Sequence, residues 1–176
     1  MKPFLRWAGG KQWLTKTLIN LSPDQFGDYY EPFLGGASFF FALKPNNAIL
    51  SDSNSQLIET YQALQSNPNR VISKLEMWEN NKETYYKIRA SRFEEISDRA
   101  ARFIYLNKTC WNGLYRVNKK GEFNVPFSNN HRLVFDPEQL VTASMLLRSA
   151  KLLVGDFEET LATAKMGDLI YLDPPY

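Results

Sequence analysis

The chain has 176 residues, 44% hydrophobic and 14% aromatic, which is enough to bury one substantial core and excludes a disordered chain. A formal charge of +2 is too small to mark a nucleic-acid binder by itself, and a single cysteine (Cys110) with a single histidine (His131) excludes an internal disulfide and argues against a metal centre. The longest apolar run, Phe39 to Leu43, is far short of a membrane span and the opening "MKPFLRW" lacks a signal core, so the expectation is a cytoplasmic protein with no membrane partner.

In chain order, "DYYEPFLGGASFFFAL" reads as a short strand ending near Phe33, a glycine turn at Gly35 and Gly36, and the start of an apolar helix. "NAILSDSNSQLIETYQAL" gives a second strand, Ala48 to Leu50, an acidic strand end at Asp52, and a helix with Leu57, Ile58, Tyr61 and Leu64 on one face. From about Asn67 to Thr109 the pattern is helical, with Val71, Leu75 and Trp78 on one face and Phe103 and Ile104 inside a later helix. "NGLYRVNKKGEFNVPF" then suggests a hairpin turning at Lys120-Gly121, with basic residues at its tip. "DPEQLVTASMLLRSA" restores a helix, with Asp136 as N-cap, Pro137 first and Gln139 at capping-box spacing. "KLLVGDF" is a third strand ending at Asp156, followed by a short helix through about Ala164, and "DLIYLDPPY" a fourth.

Apolar strands alternating with helices imply an α/β fold, a Rossmann-like parallel sheet covered on both faces. Residues 67–130 interrupt it as a helical plus β-hairpin insertion, leaving 1–66 and 131–176 to form the sheet domain. In such sheets ligands bind beyond the carboxyl ends of the strands, here Pro32 to Gly36, Asp52, Asp156 with Phe157, and Asp173 to Tyr176. Glycines after the first strand admit a ligand close to the backbone, and Asp52, sixteen residues beyond Gly36, suits the two hydroxyls of a ribose. "FLGGAS" matches neither phosphate-binding loop, which favours a nucleoside without phosphates, and S-adenosylmethionine is the evident one. On the residues alone, "FLGG" is equally well a structural turn.

The closing "DPPY" suits methylation of an exocyclic amine on a base. The amine lone pair is delocalised into the ring, and two acceptors on its hydrogens would draw the nitrogen toward a tetrahedral shape. Asp173 supplies a carboxylate and Pro174 a carbonyl, while the prolines at 174 and 175 stiffen the turn. Tyr176 offers a ring face for a base rotated out of the duplex. Cys110, in "KTCWN", reads as a packed thiol and not as a nucleophile.

Together "FLRWAGGKQWL", "YYEPFLGGASFFF", "LSDSNSQLIETY", "YLNKTCWNGLYRVNKKGEFNVPFS", "LLVGDFEE" and "IYLDPPY" resemble the Dam-type DNA adenine methyltransferases, in that family's order and over essentially the whole chain. The resemblance implies that Trp7, Lys11, Asp52 and Asp173 contact S-adenosylmethionine, with Glu31, Pro32, Phe33, Gly35, Gly36, Asp156 and Phe157 completing its pocket. Without it, Trp7 reads as a core aromatic and Lys11 as a solvated charge. It further implies a hairpin that recognises GATC in double-stranded DNA. Asn112, Leu114, Arg116 and Pro126 would touch bases, Trp111 would wedge near the flipped adenine, and Arg6 would approach the first guanine. Lys119, Lys120 and Arg132 suit phosphates, or simply form a solvated basic face.

Two small departures are Ala37 or Ser38 where the family motif usually closes with a further glycine, and Trp111 where many relatives carry tyrosine. The family also continues beyond its Asp-Pro-Pro-Tyr. Ending at Tyr176 would leave "LIYL" as an open sheet edge able to self-associate, and little or no methylation activity is expected of such a chain. Two rivals remain at this stage: a catalytically dead GATC-binding remnant, and an amino-methyltransferase acting on RNA or glutamine.

Overall fold

Tyr29–Glu31 (β1) is buried along its whole length, as a central strand covered on both faces must be. The computed structural model, which describes residues 1–128 and 134–174, sets it in a parallel sheet of four strands in the order β3-β2-β1-β4. The others are Ala48–Asp52 (β2), Ala150–Val154 (β3) and Leu169–Ile170 (β4). Tyr29 pairs with Ala48 on one side and Leu169 on the other, and β2 runs beside β3 from Ala48↔Ala150 to Asp52↔Val154. This is the Rossmann-like arrangement anticipated from the alternation of elements.

Strand alternation turns Tyr29 and Glu31 to one face. There Tyr29 meets Phe39 of Ser38–Leu43 (α2), edge to face at 5.9 Å. Tyr30 points the other way, its hydroxyl 3.3 Å from Thr163, just beyond Phe157–Leu161 (α8). Ser51 also faces that side and meets Thr160 of α8 at 2.6 Å. The first helix, Thr15–Leu21 (α1), packs against α2.

The helix following β2, Ser55–Ser66 (α3), buries Leu57, Ile58, Tyr61 and Leu64, the face its periodicity indicates. Three more helices follow: Pro68–Glu76 (α4), Lys82–Ala90 (α5) and Ile96–Thr109 (α6). Asn54, Asn67 and Asn81 cap α3, α4 and α5, each side chain accepting from a backbone N–H three residues on. Each such cap is worth about 1 kcal/mol. Trp78 lies just past α4 but keeps to its apolar side, meeting Tyr105 of α6 at 5.5 Å. One apolar core runs from the sheet through α3 and α6 to Phe123 and Val125.

The structure modifies four local expectations. β1 ends at Glu31, not near Phe33, because Pro32 has no N–H to continue a ladder. α8 stops at Leu161, short of Ala164, and β4 is only two residues long. In Pro137–Leu147 (α7) Asp136 caps the helix as expected, accepting from Glu138 and Gln139. The capping box is only half made, however: the Gln139 side chain does not accept from the Asp136 N–H, and its amide nitrogen donates to the carbonyls of Lys2 and Pro3.

Candidate functional site

The carboxyl ends of the strands surround a cavity of about 620 Å³. All eleven residues expected at a cofactor line it: Trp7, Lys11, Glu31, Pro32, Phe33, Gly35, Gly36, Asp52, Asp156, Phe157 and Asp173; Pro174 joins them. Pro175 and Tyr176, like His131 and Arg132, lie outside the described residues.

Its floor is the turn after β1. Gly35 takes a left-handed φ of 47°, and a Cβ there would lie 2.7 Å from Trp7 Cδ1. Both conditions require glycine. The Gly35 N–H donates to Asp52 Oδ2 at 3.0 Å, and the Tyr61 hydroxyl donates to the Gly35 carbonyl at 2.9 Å. Asp52 Oδ1 accepts from the Asn54 N–H at 2.9 Å. Two backbone donors therefore fix this carboxylate while leaving each oxygen further lone pairs. On the opposite wall Phe33 and Phe157 stack at 5.6 Å, and Asp156 caps α8 by accepting from Glu158.

Glu31 is the deepest acid, 2% exposed, and accepts from the Tyr29 hydroxyl at 2.7 Å. Burial pushes its pKa up to about 8, against the hydrogen bonds from Tyr29 and the Phe40 backbone, with the charge of Asp173 adding to the rise. At the rim, Lys11 Nζ is paired with Asp173 Oδ1, and the Tyr171 hydroxyl reaches Asp173 Oδ2 at 3.4 Å. Burial and the charges of Asp173 and Glu31 raise the Tyr171 phenol far above its usual range.

Beside the cavity rises the hairpin. Its arms are joined by bonds from Asn124 to the Arg116 carbonyl and from Asn118 to the Glu122 carbonyl, with bridges at Val117↔Phe123 and Cys110↔Phe127. Among the described residues these are isolated bridges, not continuous strands. Gly121, at φ 75°, turns the tip as expected, with Lys119 and Lys120 exposed there. Trp111, Asn112 and Leu114 stand exposed at the hairpin's entry, and Pro126 opposite them accepts from the Trp111 N–H. Arg116 Nε donates to Asn124 at 2.8 Å. Trp7 connects the two halves: one side meets Gly35, and its ring stacks on Tyr115 of the hairpin at 5.5 Å and on Phe103 of α6 at 6.4 Å. Cys110 is buried and its thiol pushed up to about 11 by burial, as befits a packed side chain.

The family model of the D12 class N6 adenine-specific DNA methyltransferases matches residues 7–176. The chain belongs to this family. As a D12-class chain it is similar to the type II methyltransferase M1.LlaDCHI of Lactococcus lactis subsp. cremoris, 40% identical over all of this chain and 66% of that relative. It is similar also to the type II methyltransferase M.MjaIII of Methanocaldococcus jannaschii, 38% identical over all of this chain and 69% of the relative. A DNA adenine methylase of Vibrio cholerae is 36% identical over 99% of this chain and 65% of its own length. The D12-class chain thus spans about two thirds of the length of these relatives, and the Dam-type resemblance read from its motifs is borne out at the level of the family.

Several D12-class site neighbours escape the sequence reading. Tyr171 lies just past β4, two residues before Asp173, and its hydroxyl reaches that carboxylate; the alternation of an extended segment could have found it. Asn54, Tyr61 and Tyr115 carry no sequence signal beyond helix-cap or core character, and only folding brings Asn54 to the cavity, Tyr61 to the Gly35 carbonyl and Tyr115 to Trp7. Among the described residues no cluster of histidine, cysteine or acidic side chains could hold a metal, and no helix is long and apolar enough to cross a membrane.

Proposed function

We propose that this chain carries the cofactor pocket, the target acceptors and the recognition hairpin of an enzyme that transfers a methyl group from S-adenosylmethionine to the exocyclic amine of adenine in duplex DNA, within GATC. The observation that carries the reading is the convergence of the strand ends on one cavity, with Asp173 and Pro174 among its lining and an exposed hairpin joined to it through Trp7. A volume of about 620 Å³ falls in the range of small-molecule cofactor sites, and the glycine floor leaves the backbone open to close approach. The relatives named as DNA adenine methylases support the same substrate.

The eleven cavity residues from Trp7 to Asp173 would hold the cofactor, which when bound supplies an electrophilic methyl group on a sulfonium. Asp52, preset by Gly35 and Asn54, accepts from the ribose hydroxyls. Phe33 and Phe157 wall the purine. Asp173 and the Pro174 carbonyl accept the two hydrogens of the target amine and aim its lone pair, with Lys11 and Tyr171 orienting the carboxylate. Pro175 would stiffen the turn and Tyr176 stack on the flipped base. Arg6, Asn112, Leu114, Arg116 and Pro126 read base edges, Trp111 fills the gap beside the flipped adenine, and Lys119, Lys120 and Arg132 hold phosphates. In this reading residues 67–130 form the recognition unit and 1–66 with 131–176 the catalytic unit, the two sharing one core.

The test is transfer of labelled methyl from S-adenosylmethionine to a GATC duplex, followed by digestion with a nuclease blocked by adenine methylation. Label in adenine that depends on Asp173 supports the reading. Incorporation no greater than with Asp173→Asn, or equal labelling of a duplex lacking GATC, refutes it.

A further inference from the structure

Arg6 and Asn112 come from distant stretches of the sequence, yet both are read as contacting the same short target. Asn107 is what joins them. It lies on α6, 2% exposed, and its amide is fully engaged. Oδ1 accepts from the Arg6 N–H at 2.9 Å, and Nδ2 donates to the Arg6 carbonyl at 2.7 Å and the Gly113 carbonyl at 3.3 Å. One buried side chain therefore satisfies both backbone groups of Arg6 and ties them to the turn that carries Asn112.

The turn is shaped to receive Arg6. Gly113 has a φ of 65°, and a Cβ there would lie 2.4 Å from Arg6 Cδ and 2.6 Å from Arg6 Cβ. The arginine thus fills the space a side chain at 113 would need. Asn112 precedes it at a φ of 55°, a left-handed conformation that asparagine tolerates better than most other non-glycine residues. Electrostatics works against the arrangement. Lys108 is nearby, and burial, then the like charge of Arg6, lowers its pKa. Arg6 is held here by its backbone against that repulsion.

We infer that Asn107 is a positioning residue for target recognition, its amide fixing Arg6 and the Asn112–Gly113 turn in one register so that both meet the same duplex together. This rests on the reading of Arg6 and Asn112 as base contacts. A direct role for Asn107 on DNA is excluded by its burial. Any effect of the residue must pass through the two segments it clamps.

The experiment measures binding by fluorescence anisotropy to a GATC duplex and to duplexes with each of its four pairs replaced in turn. Arg6→Ala should lower discrimination at one base pair roughly ten- to a hundredfold. Asn107→Asp keeps the acceptor for the Arg6 N–H but sets an oxygen against two carbonyls. It should reproduce the loss at that same pair, and the double variant should be no worse there than Arg6→Ala. Affinity for S-adenosylmethionine, by calorimetry, should stay within about twofold, because the clamp makes none of the cavity contacts. Should Asn107→Asp fail to fold by circular dichroism, Asn107→Ser and Gly113→Ala carry the same expectation; the latter displaces Arg6 directly. Retained discrimination in the Asn107 variants, equal weakening of all duplexes, or multiplicative effects of the two substitutions would overturn the inference. If Arg6→Ala itself leaves every pair equally well discriminated, the base-contact reading falls and takes the inference with it.

Discussion

Replacing Glu31 by glutamine keeps the size of the side chain and an acceptor for the Tyr29 hydroxyl but removes its ionisation. In the unfolded chain a glutamate ionises near 4.5, whereas burial holds the folded-state value at about 8. Below 4.5 both states carry the proton and the group's full contribution to stability is present. As pH rises between the two values the unfolded state alone loses its proton, and the native state is penalised by about 1.4 kcal/mol per unit. The contribution is lost once pH passes the folded value, for a total on the order of 5 kcal/mol across the window. Other carboxylates titrate as well, so the informative quantity is the stability of the wild type minus that of Glu31→Gln, from urea unfolding at half-unit intervals between pH 4.5 and 9. That difference should fall steadily from about pH 5 to pH 8 and then level off. A difference independent of pH would show that Glu31 ionises normally, and the upward shift ascribed to its burial would fail.

Asp173→Asn should reduce methyl transfer by roughly a hundred- to a thousandfold while leaving duplex affinity by anisotropy unchanged, because it alters one acceptor at the reacting amine. Gly35→Ala should weaken S-adenosylmethionine binding in calorimetry at least tenfold and cost about 1 to 2 kcal/mol in stability, since the added methyl meets Trp7 in a left-handed backbone. Wild-type affinity in that variant would contradict the close-approach role of the turn. Lys44 closes α2 in an exposed left-handed conformation at φ 56°, so Lys44→Gly should stabilise the chain by about 0.5 to 1 kcal/mol, raising the melting temperature by a few degrees.

Periodicity made the helix faces and the succession of strands along the chain readable: Leu57, Ile58, Tyr61 and Leu64 are buried as their spacing indicates, and each strand end delivers its expected residue to the cavity. These are local signals, and tertiary structure had only to respect them. Trp7 shows where they stop. By composition it is a core aromatic, and it is indeed stacked among rings, but the same ring covers Gly35 and lines the cavity. The pairing of Lys11 with Asp173, the diversion of Gln139 to Lys2 and Pro3, and the grip of Asn107 on Arg6 join residues more than a hundred positions apart. Nothing in a single sequence marks such pairs. The hairpin is intermediate: its turn chemistry was legible, while the sparse bridging of its arms was not, since that depends on packing of Tyr115, Phe123 and Val125 against the helices.

On the proposed reading of the hairpin as the recognition element, the seating of Trp7 against Tyr115, and of Arg6 against Gly113, bears on any attempt to retarget the protein. A hairpin grafted from a relative with another preference would arrive at a socket still shaped by residues 6, 7 and 107. Its entry turn would have to accept this arginine, and its inner face would have to present a ring to this indole. On that reading the exchangeable cassette is discontinuous, a hairpin together with a dipeptide near the N-terminus and one asparagine on α6. Libraries that vary the hairpin alone would sample mostly mismatched halves.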